Sequence, residues 1–134
     1  MRVALPVAST VLDRRTRCAF SPACVADIAV QLNAREVPVT YEYRSASLAG
    51  KTIPGTARME DRDLVVDVDL APPWWTPDEL DKAITAGVGG GISGRVLKES
   101  TVDTIHVTDQ IRLSDVTLLQ LHASVNPDKP ARKV

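Results

Sequence analysis

Five of the seven glycines of this 134-residue chain fall within eight positions, Gly87-Val88-Gly89-Gly90-Gly91-Ile92-Ser93-Gly94. Without a Cβ, such a run either lets the backbone pass close against another segment or leaves amides free as an oxyanion hole. Its flanks narrow the choice. Upstream, Thr76-Pro77-Asp78-Glu79 has the form of a capping box: Thr76 caps, Pro77 takes the first helical position, and Glu79 reaches back to the Thr76 N–H. Leu80, Ala83 and Ile84 then face inward, and Gly87 ends the helix at 86. Downstream, residues about 91–98 read as a strand. A phosphate cradle needs a strand, then glycines, then a helix, with G-x-x-x-x-G-K-[ST] or G-x-G-x-x-G. Here the order is helix, glycines, strand, and no Lys-Ser follows. Nucleotide binding is not expected.

The rest of the chain alternates in period two more often than in period 3.6. Val3 to Leu12 is a first strand, and Arg14 to Arg17 a charged turn. Ser21-Pro22 is an N-cap followed by proline at the first helical position. Val25, Ile28, Ala29 and Leu32 then fall at i, i+3, i+4 and i+7, which predicts a helix over 22–33. Val37, Val39, Tyr41 and Tyr43 alternate with polar residues and Pro38, which predicts a strand that starts at Pro38 or lies near an edge. Ser45 to Lys51 reads as a loop. Ile53 to Met59 reads as a strand kinked at Pro54-Gly55, joined through the polar turn 60–63 to a strand of Leu64, Val66, Val68 and Leu70, as an antiparallel hairpin. Residues 101–108 and 110–125 supply further β structure. Asn126-Pro127-Asp128-Lys129-Pro130, Arg132 and Lys133 read as a C-terminal tail, leaving a single domain over 1–125. The expected class is α+β: a small, mostly antiparallel β-barrel or sandwich carrying two helices.

Composition excludes several functions. Hydrophobic residues make up 44% and charged residues 25%, which is ordinary globular composition rather than that of a disordered tail. Lys+Arg (16) nearly cancels Asp+Glu (17), so there is no basic face to draw a nucleic acid. Phe20, Tyr41, Tyr43, Trp74 and Trp75 are the only aromatics, too few for a base-stacking platform. The longest apolar runs are a few residues, so no membrane helix is expected. Pro6, Asp13 and a basic run interrupt what would be the apolar stretch of a secretory signal. Cys18 and Cys24 with the distant His106 and His122 do not make a zinc spacing, and neither a metal nor another cofactor is expected. Trp74 and Trp75, after Pro72-Pro73, serve either as a packing staple on the second helix or as a partner-binding anchor.

Ser93, at the end of the glycine run, is a nucleophile candidate, and it would need a base and an orienting acid. The imidazoles available are His106 and His122. Asp115, in Leu113-Ser114-Asp115-Val116-Thr117-Leu118, opens an apolar strand and is the candidate acid.

The order of these features resembles the tailed-phage prohead proteases, relatives of the herpesvirus assemblins. Phe20-Ser21-Pro22-Ala23 is similar to that family's helix entry after the first strand. Val37-Pro38-Val39 is similar to the opening of the strand that ends in its catalytic histidine. Ala86 to Gly94 resembles the junction carrying its nucleophilic serine, and Leu113 to Leu118 resembles its Leu-x-Glu-Val-Ser-Leu strand, whose acid completes the triad. The resemblance spans most of residues 3–121. It implies Ser93 as nucleophile and Asp115 as orienting acid. Where it implies a histidine, this chain has Tyr41-Glu42-Tyr43-Arg44, and a phenol with an ordinary pKa of about 10 is a poor base at neutral pH. His106 is the candidate substitute.

Three readings follow. The first is a catalytically degenerate head protein, bound to the major capsid protein or other head proteins as a decoration, cement or minor subunit. It would form a homo-oligomer around symmetry axes, reside in the host cytoplasm during assembly and then in the virion head, and bind neither nucleic acid nor membrane. The second is a working serine-type maturation protease. The third is an unrelated small α+β binding module.

Overall fold

A computed structural model describes residues 1–13 and 16–134. Among the described residues nine strands form one mixed sheet, curled into a half-barrel, and two helices accompany it. In chain order these are β1 (Arg2–Ser9), β2 (Cys18–Phe20), α1 (Pro22–Ala34), β3 (Pro38–Tyr41), β4 (Arg44–Thr52), β5 (Arg58–Glu60), β6 (Asp63–Leu70), α2 (Pro77–Ala86), β7 (Val88–Val102), β8 (Ile105–Gln120) and β9 (Arg132–Lys133). A short 3-10 turn, Leu121–Ala123, follows β8. This is the α+β class expected, and antiparallel pairings predominate.

The spine is β8. It pairs antiparallel with β7 along its whole length, as one long hairpin. On its other edge β2 pairs parallel near its start and β3 parallel near its end. From β3 the sheet continues antiparallel through β4, β6 and β1 to β9. The curl brings β1 back over the glycine-rich part of β7. A Cβ built on Gly90 would stand 2.4 Å from the Pro6 carbonyl oxygen and 2.8 Å from the Leu5 side chain. That contact tells the two expectations for the glycine run apart: here glycine admits a close backbone approach. The run therefore lies inside a strand from Val88, rather than preceding one that begins near 91.

Both helix starts form as their local chemistry dictates. The Ser21 hydroxyl accepts from the Cys24 N–H and Pro22 occupies the first turn. Cys24, Val25, Ile28 and Leu32 are buried, so α1 presents the expected stripe to the core and runs one residue further than expected. Thr76 and Glu79 form a reciprocal capping box on α2. Gly87, at φ 109°, returns its N–H to the Ala83 and Ile84 carbonyls. Leu80 and Ile84 anchor α2, each contributing about 1.5–3 kcal/mol by burial. The core lies inside the curl, among Val3, Leu5, Val7, Ile28, Leu32, Leu64, Val66 and Leu118.

Several expectations are corrected. The first strand ends at Ser9, and of the expected charged turn Arg14 and Arg15 lie outside the described residues. The strand over 37–44 breaks at a two-residue turn, Glu42-Tyr43, where both φ are positive (49° and 61°). Ser45 to Lys51 is not a loop but most of β4, whose pairing to β3 and β6 supplies the order that its weak alternation does not. Ile53 to Ala57 is a turn, so only Arg58–Glu60 pairs with β6. On β6 both faces are covered, since Val65 and Asp67 are buried as well as Leu64, Val66 and Val68. The Asp67 carboxylate meets Arg2 and Arg58, each at 3.0 Å. The β structure expected over 110–125 ends at Gln120. The stretch expected as a tail packs back on the domain: Ala131 is buried, its N–H reaches the Val88 carbonyl, and Arg132–Lys133 adds β9 to β1.

Candidate functional site

Ser93 and Asp115 lie directly opposite each other in the β7–β8 register. Residues two apart on a strand share a face, so Gly89, Gly91 and Ser93 of β7 lie over Leu119, Thr117 and Asp115 of β8. The parallel neighbour β3 brings Thr40 beside Thr117, and the Thr40 hydroxyl donates to Asp115 Oδ2 at 2.8 Å. The Ser114 hydroxyl lies 2.8 Å from Asp115 Oδ1 and 3.1 Å from the Ser93 carbonyl oxygen, its single proton shared between them. Both carboxylate oxygens of Asp115 thus accept from hydroxyls, and neither faces an imidazole.

The β3–β4 turn completes the patch. The Tyr43 N–H donates to Thr117 Oγ1 at 2.9 Å and the Glu42 N–H to the Leu118 carbonyl, so the turn is tied down on β8. The Tyr43 hydroxyl rests over Gly91, 3.1 Å from where a Cβ would stand. A side chain at 91 would contest that space. Tyr43 with Ile92, Ser9, Phe20 and Ser124 also borders a cleft of about 240 Å³. Tyr41 turns to other partners: its ring centroid lies 5.7 Å from both Trp74 and Trp75. Trp75 packs against the core while Trp74 stays 39% exposed, so one tryptophan is the staple and the other presents itself at the surface.

Neither histidine joins the site. His106 pairs with Thr101 and Cys18 towards the far end of the hairpin. It stands nine residues from Asp115 on β8, roughly 30 Å along the strand at ~3.3 Å per residue. His122 is exposed on the 3-10 turn, beyond the end of β8. The structure therefore brings Ser93 and Asp115 together and places His106 elsewhere. What the sequence did not reveal is that Thr40 and Ser114 bracket the carboxylate. Thr40 is placed there by the parallel β3–β8 register, which leaves no mark in the sequence, and Ser114, next to Asp115 in the chain, reaches the carboxylate where the β7–β8 register skips it.

The buried Cys24 offers no second nucleophilic site. Burial, aided by Asp27 and Asp109, pushes the Cys24 thiol up to about 11, which keeps it protonated and inert. No group of three or more His, Cys, Asp or Glu able to hold a metal occurs among the described residues. No helix among them is long and apolar enough to cross a membrane. Compared with known proteins, the chain matches no family model, no curated protein and no solved structure.

Proposed function

We propose that this chain is a head protein of a tailed phage that keeps a prohead-protease-like fold without its chemistry, and acts as a capsid-bound decoration, cement or minor subunit. The observation that supports this reading is the state of the Ser93–Asp115 pair. The candidate nucleophile and the candidate acid face each other directly across β7 and β8, with no base between them. The Asp115 oxygens are taken by Thr40 and Ser114, and the turn where the resemblance expects the histidine carries Tyr43, seated over Gly91. Without an imidazole to accept its proton, Ser93 remains a neutral hydroxyl and a weak nucleophile. Loss of one triad member ordinarily removes several orders of magnitude of rate. The exposed Trp74 beside Tyr41 is the contact element this reading assigns to the capsid.

The test uses the whole chain and its Ser93→Ala variant, both checked for unchanged thermal melting. Each is treated with a fluorophosphonate and, separately, sedimented with shells assembled from the cognate major capsid protein. The expected result is no labelling and stoichiometric co-sedimentation by both proteins. Labelling or cleavage of capsid protein that vanishes in Ser93→Ala would overturn the reading in favour of a working protease. Neither labelling nor co-sedimentation would leave an unrelated binding module.

A further inference from the structure

The outer half of the β7–β8 hairpin is built unlike the rest of the sheet. From Gly94 to Val102, β7 pairs only with β8 among the described residues, and all nine residues are exposed. Its other edge has no strand partner among the described residues and leaves backbone donors and acceptors open to another strand, in a row that the register shifts at Leu97 and between Lys98 and Glu99 interrupt. Val96, Leu97 and Val102 on it are 45%, 50% and 58% exposed. Leu97 is passed over in the register with β8, where Val96 faces Ile111 and Lys98 faces Gln110.

The charges on this edge are unresolved within the chain. Arg95 stands directly opposite Arg112. Like charges facing across a strand pair repel. No carboxylate pairs with Arg95 or Arg112, and no cation pairs with Glu99, among the described residues. A two-fold axis perpendicular to an antiparallel strand pair passes through one residue facing its own copy. If that residue is Leu97, Arg95 of each strand falls opposite Glu99 of the other. Leu97 then meets its copy at the centre, and each Glu99 arrives beside an Arg95–Arg112 pair that lacks a counter-ion.

We infer that the edge Gly94–Val102 is a self-pairing surface, on which two copies of this chain join their sheets antiparallel about Leu97, locked by two reciprocal Arg95–Glu99 ion pairs. The contact is isologous, so it closes at a dimer and does not propagate. The lone ion-pair register gives the edge selectivity that a bare run of Val and Leu would lack: shifting it by one residue places Lys98 on Lys98 or Val96 on Val96 and breaks both ion pairs. This inference stands apart from the head-protein reading, and its test involves neither capsid nor Ser93.

The experiment measures mass by light scattering and association by analytical ultracentrifugation. Wild type is expected to be a dimer. Arg95→Glu and Glu99→Arg are each expected to weaken association roughly tenfold or more, since two attractive pairs become two repulsive ones. An equimolar mixture of the two variants is expected to recover the dimer, because in the mixed pair every carboxylate at these positions again faces a guanidinium. Circular dichroism checks that these exposed substitutions leave the fold intact. A wild-type monomer, a dimer indifferent to both reversals, or a mixture that fails to re-associate would each overturn the inference.

Discussion

Glu42 and Tyr43 occupy the two central positions of the β3–β4 turn with positive φ, a conformation that suits asparagine and glycine and costs other residues about 1 kcal/mol or more apiece. Such strain persists only where its surroundings enforce it. Here the turn is bound to β8 through the Tyr43 and Glu42 amides. Glu42→Asn is therefore expected to raise stability by about 0.5–1 kcal/mol in urea unfolding, since the Glu42–Arg44 ion pair it removes is long (3.6 Å) and joins an exposed guanidinium to a half-buried carboxylate. Gly90→Ala is expected to do the reverse, costing about 1–3 kcal/mol, because the new methyl would meet the Pro6 carbonyl. These two residues mark where reading the sequence succeeds and fails. The importance of the glycine run was legible, because five glycines in eight positions have few uses. That Gly90 needs to be small on account of β1, over eighty residues earlier, was not, because only the curl of the sheet supplies the neighbour. Asp115 was legible as an acid bordering an apolar stretch, although it lies inside β8 rather than opening a strand. Its hydroxyl partner Thr40 was not, because a parallel register between β3 and β8 leaves no periodic mark in either strand.

Among elements, those fixed by contacts within a few residues were read almost to the residue. The Thr76–Glu79 box and the Ser21 cap are local chemistry, and α1 and α2 begin where those caps require. Strands defined by distant partners were not. Ser45 to Lys51 offers mixed small and polar residues, and becomes β4 only because β3 and β6 flank it. Likewise β9 looks like a polar end until β1 receives it. The β5–β6 turn region holds β9 in place through Glu60, which accepts from Arg132 at 2.6 Å and lies 3.3 Å from Lys129 and 3.1 Å from Arg58. The Arg132 hydrogen bond, with Lys129 behind it, holds the Glu60 carboxyl down at about 2, against a usual 4.5. A carboxyl lowered on folding stabilises in its charged form. Its contribution is fully present above pH about 4.5 and is lost as pH falls through about 2. Denaturant titrations between pH 5 and 2 are expected to show a steeper loss of stability for wild type than for Glu60→Gln. Equal slopes would mean that the ion-pair cluster contributes nothing to β9 docking.

At the scale of the whole molecule, order is unevenly distributed. The walls of the curl, β1 and β6, are buried nearly along their length, while the hairpin beyond Ser93 projects with every residue of β7 exposed. Backbone hydrogen bonds near solvent and far from apolar packing open first. In the monomer, amides of 94–102 that bond to β8 are expected to exchange at least ~100-fold faster than those of 64–68, as read by hydrogen–deuterium exchange with fragment mass analysis. Uniform protection would mean that the hairpin is as rigid as the barrel wall. The topology also sets the pace of folding: β1 pairs with β6 across some sixty residues and with β9 across almost the entire chain. Such non-local closure places refolding in the millisecond-to-second range rather than in microseconds. The β1–β9 pairing has a further, mechanical consequence. Val3 faces Lys133 in an antiparallel pair, and the Val134 N–H reaches the Arg2 carbonyl, so both chain ends leave the sheet at the same corner. A force drawing those ends apart loads the ladder one rung at a time, as a zip rather than a shear, and β9 yields first under light tension while the barrel behind it stays whole.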